Sequence, residues 1–388
     1  MELLNPMWTE INIDNFLYNI NQIKRKIGSS EIIGVVKANA YGHGAIEISE
    51  ILIKSGIKKL AVANIVEAIE LRDNCIDCEI MILGISEIYA IDSILKYNIE
   101  PTISSLEFAL ELNKKAIKLN QLVKVHIAID SGMGRIGFRN SLDSINEIAL
   151  IANLSNLKIE SIFTHFSTAD SKNKDYTNKQ IAIYNEMLLN LSKLGIKPPK
   201  INLANSAAIM DIEDSHKDFV RPGIIQYGYY PSKEVKSEDF DLKPVLTWKS
   251  KVIHLKVVDE NEFIGYGQNY KTTKKTKIAT IPVGYADGYS RGLSNKGKVI
   301  INGKLAPIIG NVCMDQFMVD VTDIDLKIGD EVILLGKSNG LKFDAEDIAE
   351  ILEMVKQEFK SAATDQMISN VLTQQFLNLT QYSFEQLS

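Results

Sequence analysis

The 388-residue chain is poor in cysteine, with only Cys75, Cys78 and Cys313, and that scarcity excludes a disulfide-stapled fold. Cys75 and Cys78 form a C-x-x-C, but no second pair and no nearby histidine accompany it, so ordinary reduced thiols are expected rather than a zinc or redox centre. Long apolar runs are missing too: nothing reaches the roughly 18 residues of a membrane helix. The start, MELLNPMWTE, has neither a basic leader nor an unbroken apolar segment. A cytoplasmic location without a membrane partner is the expectation. Positive charge is not in excess, since 43 Lys and Arg face 49 Asp and Glu for a formal net charge of -6. Nucleic acid is therefore not an expected partner, because neutralising phosphates needs clustered cations. The one basic run, Lys271 to Lys277, reads as a solvated hairpin or loop. Asp320, Asp323 and Asp325 read as turns, and no metal site is expected.

What the chain does have is ample core material, at 45% apolar and 24% charged residues. Its length suits one α/β barrel of about 250 residues with a smaller partner. From residue 30 onward, short β-branched runs alternate with longer amphipathic stretches, the pattern of βα units around a parallel sheet. Eight such strands begin at Ile32, Leu60, Glu79, Ile99, Leu122, Ile159, Ile201 and Phe219. Eight repeats favour a closed barrel over a doubly wound sheet, and no G-x-G-x-x-G follows the first strand. Past residue 240 the texture changes to short alternating segments with turn residues, such as Asn302-Gly303, and a helix from Ala345 to Phe359 follows Asp344. The expected fold is thus an N-terminal (β/α)8 TIM barrel over residues 1–240, followed by a mainly β domain over 241–388.

Chemistry in such barrels sits at the C-terminal ends of the strands. That rule picks out Lys37 after the first strand, Arg135 after the fifth, His165 after the sixth, Asn205 and Ser206 after the seventh, and Arg221 in the eighth. A lysine ending the buried run VVKA suits Schiff-base chemistry, because burial disfavours its charged form. Position alone is equally compatible with a lysine whose amine reaches solvent.

The motifs decide between these readings. VVKANAYGHG at Val35 to Gly44, SGMGRIGF at Ser131 to Phe138, THFSTAD at Thr164 to Asp170, ANSAA at Ala204 to Ala208 and VRPGI at Val220 to Ile224 fall in the barrel. GYG at Gly265 to Gly267, IPVGYADGY at Ile281 to Tyr289 and GNVCMDQFMVD at Gly310 to Asp320 follow in the second domain. In content and order these strings resemble the alanine racemase family along nearly the whole chain.

That resemblance implies a fold-type III enzyme using pyridoxal 5'-phosphate, with two subunits arranged head to tail as a homodimer. It implies that Lys37 carries the cofactor and that Tyr41, Ser206, Gly223 and Ile224, with Asn205 beside them, cradle its phosphate. Arg221 matches the arginine facing the pyridine nitrogen, a residue that cannot readily accept a proton and so leaves that nitrogen unprotonated. Inverting a stereocentre by proton transfer needs a base on each face, and the resemblance makes Tyr266 of a neighbouring subunit the partner of Lys37. Tyrosine ionises near pH 10, and a chain through His165 and Arg221 is implied to assist it. Arg135 resembles the arginine that contacts the cofactor's phenolic oxygen and the substrate carboxylate, and Tyr285 and Met314 match residues that line the entrance of the substrate, an amino acid, and hold its carboxylate. The implied reaction interconverts L- and D-alanine, supplying D-alanine for peptidoglycan.

Three positions depart from the family pattern. Ala128 stands where many relatives carry a carbamylated lysine that orients the counterpart of Arg135, and Asn202 stands where a histidine is expected. Gln357 stands where a tyrosine usually crowds the substrate, so serine or a broader amino-acid range is the alternative substrate class. A decarboxylase on the same plan would need an acid facing the pyridine nitrogen, which VRPG does not supply. A non-catalytic cofactor-handling protein would leave residues 240–388 without a purpose.

Overall fold

The computed structural model describes residues 6–197, 200–236 and 238–355. The chain first forms strand β1 (Met7–Ile11) and then eight strands that close into a parallel barrel. These are β2 (Glu31–Val35), β3 (Lys59–Val62), β4 (Glu79–Ile85), β5 (Glu100–Ile103), β6 (Val123–Ala128), β7 (Leu157–Phe163), β8 (Ile201–Asn202) and β9 (Phe219–Val220). Closure comes from β9 pairing back onto β2, with Glu31 opposite Phe219 and Ile32 opposite Val220. Each of the eight expected strands is present.

The connecting helices follow from their spacing. Helix Ala45–Lys54 buries Ala45, Ile48, Ser49 and Leu52, and helix Asp175–Lys193 buries Thr177, Gln180, Tyr184, Met187 and Leu191. Intervals of three and four residues put each set on one face, and burying a leucine or methionine contributes about 1.5–3 kcal/mol. Asn64, Ser105 and Ser141 cap their helices by accepting backbone N–H groups, which fixes where the βα loops end. Inside the barrel Ile33, Val35, Ala61, Met81, Ala128, Phe163 and Phe219 form one apolar cluster.

A second compact unit holds the remaining strands: β10 (Leu246–Lys251), β11 (His254–Val258), β12 (Thr276–Ile281), β13 (Lys298–Ile301), β14 (Lys304–Ile309), β15 (Phe317–Asp320), β16 (Glu331–Ser338) and β17 (Leu341–Phe343). They form an antiparallel sheet in the order β1-β10-β16-β13-β14-β15-β12-β11, with β17 on β16. Asn302 and Gly303 both take positive φ, 47° and 72°, as a tight hairpin between β13 and β14 requires. Tyr289 stacks on Phe317 and meets Trp248 edge-on, filling this unit's core. Helix Ala345–Val355 covers the described part of the expected C-terminal helix.

The units divide differently from the expectation of 1–240 and 241–388. The barrel unit is Phe16–Lys243, and residues 6–15 join those from 244 on. The cause is β1, which pairs antiparallel with β10 from Met7 opposite Ser250 to Ile11 opposite Leu246. Without it, β10 would present an open edge, which β-sheets avoid. No helix among the described residues is long and apolar enough to cross a membrane.

Candidate active site

Lys37 follows β2 and begins a turn of unusual backbone. Ala38, Asn39, Ala40 and Tyr41 all lie in the left-handed region, with φ between 51° and 54°, and none is glycine. Left-handed backbone costs about 1–2 kcal/mol per ordinary residue, so the surroundings must hold this turn in place. They do so from both ends. The Ala38 N–H donates to Glu67 Oε1 at 2.9 Å, and the Ala45 N–H donates to Asn39 Oδ1 at 2.8 Å. His43 Nδ1 lies 3.0 Å from the Ala40 carbonyl and 2.9 Å from the Tyr41 carbonyl. Two carbonyl acceptors require Nδ1 to carry the proton. Burial pushes the pKa of His43 down to about 4, so the ring is neutral. It stacks on Tyr227 at 4.4 Å, and both Tyr227 Oη and Gln226 Nε2 donate to the Val35 carbonyl at the end of β2.

Around Lys37 the sequence-derived residues converge. Its Nζ lies 5.8 Å from the Tyr41 ring centre. The Gly223 N–H donates to Ser206 Oγ at 2.8 Å, and a Cβ built on Gly223 would lie 2.8 Å from Tyr41 Oη and 3.5 Å from Ser206 Oγ. The bare face of Gly223 thus opens a small cradle between two hydroxyls. Asn205 caps helix Ser206–Asp211 through Oδ1 to the Ala208 N–H, while its Nδ2 donates to the Phe166 carbonyl. Ile224 is buried and begins a single helical turn to Tyr227.

Arg221, 3% exposed, leaves β9 over the Phe163 ring. Nη1 donates to Asn202 Oδ1 and to the Asn202 carbonyl, and Nη2 donates to the carbonyls of Thr164 (2.6 Å) and Leu203 (3.2 Å). Every acceptor is neutral. Burial accordingly pulls the guanidinium pKa down to about 10. His165, after β7, lies well below the usual histidine range through burial first, and then through the positive charges of Arg221, Arg135 and Lys37. The imidazole is therefore neutral, and three residues singled out from three other strand ends lie within electrostatic reach of His165.

Arg135 sits on a loop tied by Asp130 Oδ1, which accepts from the N–H groups of Gly132 and Gly134. Gly137, at φ 110°, has no room for a side chain because a Cβ would lie 2.7 Å from the Asp130 nitrogen. Ala128 is 1% exposed in the apolar cluster, so no polar group from that position reaches Arg135, whose pKa is lowered by burial. A residue not singled out from the sequence ties the neighbouring loops. Buried Gln180 accepts from the Ser167 N–H and donates to the His165 carbonyl and to Ser131 Oγ.

The second unit presents its own cluster. Gly265 and Gly267 flank Tyr266 at φ 74° and 78°, and Asn311 Nδ2 donates to the Tyr266 carbonyl. The Tyr285 N–H donates to the Cys313 carbonyl, and a Cβ on Gly284 would collide with the Met314 carbonyl. These bonds bring Tyr266, Tyr285 and Met314 onto adjoining loops, where they are 74%, 43% and 53% exposed. Gln357 lies outside the described residues. Cys78 is no reactive thiolate, since burial pushes its pKa up to about 11.

The arrangement has close counterparts. Residues 11–231 match the family model "Alanine racemase, N-terminal domain", and residues 245–370 match "Alanine racemase, C-terminal domain". The chain belongs to the alanine racemase family. An alanine racemase of Clostridium kluyveri is 51% identical over 354 residues, 91% of this chain and 90% of its own length. The solved alanine racemase of Clostridium difficile 630 superposes with a TM-score of 0.88 at 42% identity, covering 96% of this chain and 94% of that one. An alanine racemase from Bartonella henselae, solved with covalently bound pyridoxal phosphate, superposes at 0.82 with 28% identity over 95% and 97% of the two chains. The family's enzymes use pyridoxal phosphate, and the residues around Lys37 fit that group: a lysine amine at one end and, at the other, a hydroxyl-lined cradle whose glycine leaves room for an anion.

Proposed function

We propose that this chain interconverts L- and D-alanine in the cytoplasm by a two-base mechanism, with Lys37 and Tyr266 as the two proton-transferring groups. The observation that carries the reading is the meeting of Lys37, His165, Arg135 and Arg221 at one end of the barrel, with neutral acceptors alone on Arg221. Bound through Lys37, pyridoxal phosphate supplies a conjugated electron sink that weakens the Cα–H bond of the amino acid. Tyr41 Oη, Ser206 Oγ and the backbone at Gly223 and Ile224 hold its phosphate, with Asn205 fixing the helix that carries Ser206. Arg221, a guanidinium that does not readily accept a proton, would serve as the residue toward the cofactor's ring nitrogen and would leave that nitrogen unprotonated, which would favour racemisation over transamination. Neutral His165 lies in the field of Arg221, Arg135 and Lys37 and offers a ring nitrogen as a hydrogen-bond acceptor. Arg135, Tyr285 and Met314 hold the substrate carboxylate and close its entrance.

Tyr266 is exposed on the chain's own β unit, with Met314 and Tyr285 on adjoining loops. We assign these residues to a second subunit's site in a head-to-tail homodimer, since two proton donors must bracket one α-carbon. D-alanine for peptidoglycan is the product this reading assigns.

The test uses Lys37→Ala and Tyr266→Phe in deuterated water. Wild type should wash the α-proton out of both enantiomers. Tyr266→Phe should lose racemisation by about 10²–10⁴-fold yet keep exchange in the one enantiomer that Lys37 serves. Mixing the two inactive variants should restore about a quarter of the sites, because half of randomly paired subunits are mixed and each mixed dimer has one intact site. Racemisation by Lys37→Ala at the wild-type rate would end the proposal.

A further inference from the structure

We propose that Glu67 is a positioning residue for Lys37, its carboxylate fixing the direction in which the lysine leaves the barrel. This rests on the reading of Lys37 as the cofactor-bearing residue. The last main-chain bond between the ends of β2 and β3 runs from the Val36 N–H to the Ala61 carbonyl at 2.9 Å. Beyond it, Glu67 takes over the pairing. Oε1 accepts the Ala38 N–H at 2.9 Å and Oε2 accepts the Ala63 N–H at 2.7 Å, so one carboxylate bridges the two chain segments where the ladder stops. The Ala38 amide belongs to the peptide unit that Lys37 begins, so holding its N–H holds the plane from which the lysine side chain projects. Ala38 is also the first residue of the left-handed turn, where an unheld backbone would relax.

Glu67 is itself fixed. It stands in the first turn of helix Ile65–Asp73, and its own N–H donates to the capping Asn64 Oδ1 at 3.1 Å. A lysine whose amine must reach a particular face of a substrate is sensitive to such a constraint, because small misplacements of a reacting group cost large factors in rate.

The chemistry makes the test sharp. A carboxylate offers an acceptor to each amide, whereas glutamine offers one acceptor and turns an N–H toward the other N–H. Glu67→Gln keeps volume but breaks the bridge, and Glu67→Asp keeps both acceptors but shortens the reach. The proposal therefore orders turnover as wild type, then Asp, then Gln; a packing role orders Gln above Asp.

With holoenzyme, kcat should be expressed per cofactor trapped on the protein by borohydride. For Glu67→Gln it should fall about 10- to 100-fold, the scale of one charge-assisted hydrogen bond, while KM for alanine moves less than about threefold. Amide hydrogen exchange should quicken at Ala38 and Ala63 in the same variant. Wild-type kcat per trapped site in Glu67→Gln, or Gln above Asp, overturns the proposal. If Glu67→Gln does not accumulate folded, Glu67→Asp decides: faster exchange at Ala38 with reduced kcat supports the proposal, and unchanged exchange with wild-type kcat refutes it. Cofactor still trapped on Lys37→Ala would instead refute the reading of Lys37.

Discussion

Adding one methyl group to the barrel should separate phosphate binding from everything else the site does. In Gly223→Ala the new carbon would stand 2.8 Å from Tyr41 Oη and 3.5 Å from Ser206 Oγ. Comfortable non-bonded separations begin at about 3.5 Å, so Ser206 can stay while Tyr41 must move. Tyr41 Oη is the far end of a rotatable side chain, and its displacement costs the fold little. The proposed phosphate cradle is what suffers, losing the Tyr41 hydrogen bond to a charged group at about 1.5–3 kcal/mol. The dissociation constant for pyridoxal phosphate should therefore rise about 10- to 100-fold. Titrating the cofactor-free protein by absorbance measures this, and pyridoxal, which lacks the phosphate, supplies the control. Its affinity should change less than about threefold, and cofactor-free wild type and variant should melt within about 4 °C. Unaltered affinity for pyridoxal phosphate, or equal weakening for both compounds, would remove Gly223 and Tyr41 from the phosphate site.

Two further outcomes follow from buried groups. His43 has a folded pKa of about 4 against 6.5 in the unfolded chain, so below pH 6.5 the unfolded state takes up a proton that the folded state refuses. Stability therefore falls as pH drops from 6.5 to 4, by up to about 3 kcal/mol from this residue, and urea midpoints across that window should decline less steeply in His43→Asn; parallel curves would refute the assignment. Arg221→Glu puts a proton-holding acid at the position proposed to face the ring nitrogen, so keto acid formed per racemisation event should rise by about a hundredfold, the lower scale of one positioned proton, and an unchanged ratio in a product assay would reject that role for Arg221.

The strands were legible because their signal is local: each is a short β-branched run between helical patterns, and the barrel rule then pointed to the residues after them. Lys37, Arg135, His165, Asn205, Ser206 and Arg221 could be picked out before any contact was known. The supporting residues could not. Of Ala38 to Tyr41 only Asn39 is a residue that tolerates left-handed backbone, and the four-residue turn exists because Glu67, Asn39 and His43 hold it. Glu67 comes from the next βα unit and Gln180 from the middle of a helix, and nothing local marks either as reaching a loop end. The pairing of β1 with β10 joins segments more than two hundred residues apart, and MWTEI alone gives no hint of its partner. Asn202 was visible as a departure, but its part as acceptor for Arg221 needed coordinates.

The two ends of the barrel show why buried polarity can be read as function at one and as structure at the other. At the N-terminal ends of the strands, Lys59 pairs with Glu100 and lies 3.3 Å from Glu79, which also pairs with Lys124. His126 Nε2 donates to Glu100 at 2.8 Å, and its Nδ1 accepts from Ser161. Burial alone would raise the pKa of Glu100; His126 and Lys59 outweigh it and hold the carboxyl down to about 2. Charge there is matched within the chain, as a structural network requires. At the C-terminal ends, Arg221 has neutral acceptors alone, Arg135 is perturbed by burial, and burial first, then the charges of Arg221, Arg135 and Lys37, holds His165 in its neutral form. Burying the Arg221 guanidinium on neutral acceptors is unfavourable for the isolated fold and becomes favourable when a bound molecule brings an anion. A phosphate and an amino acid's carboxylate are anions of the required kind, so a buried strand-end arginine with neutral acceptors alone carries more functional information than a buried, fully paired lysine such as Lys59.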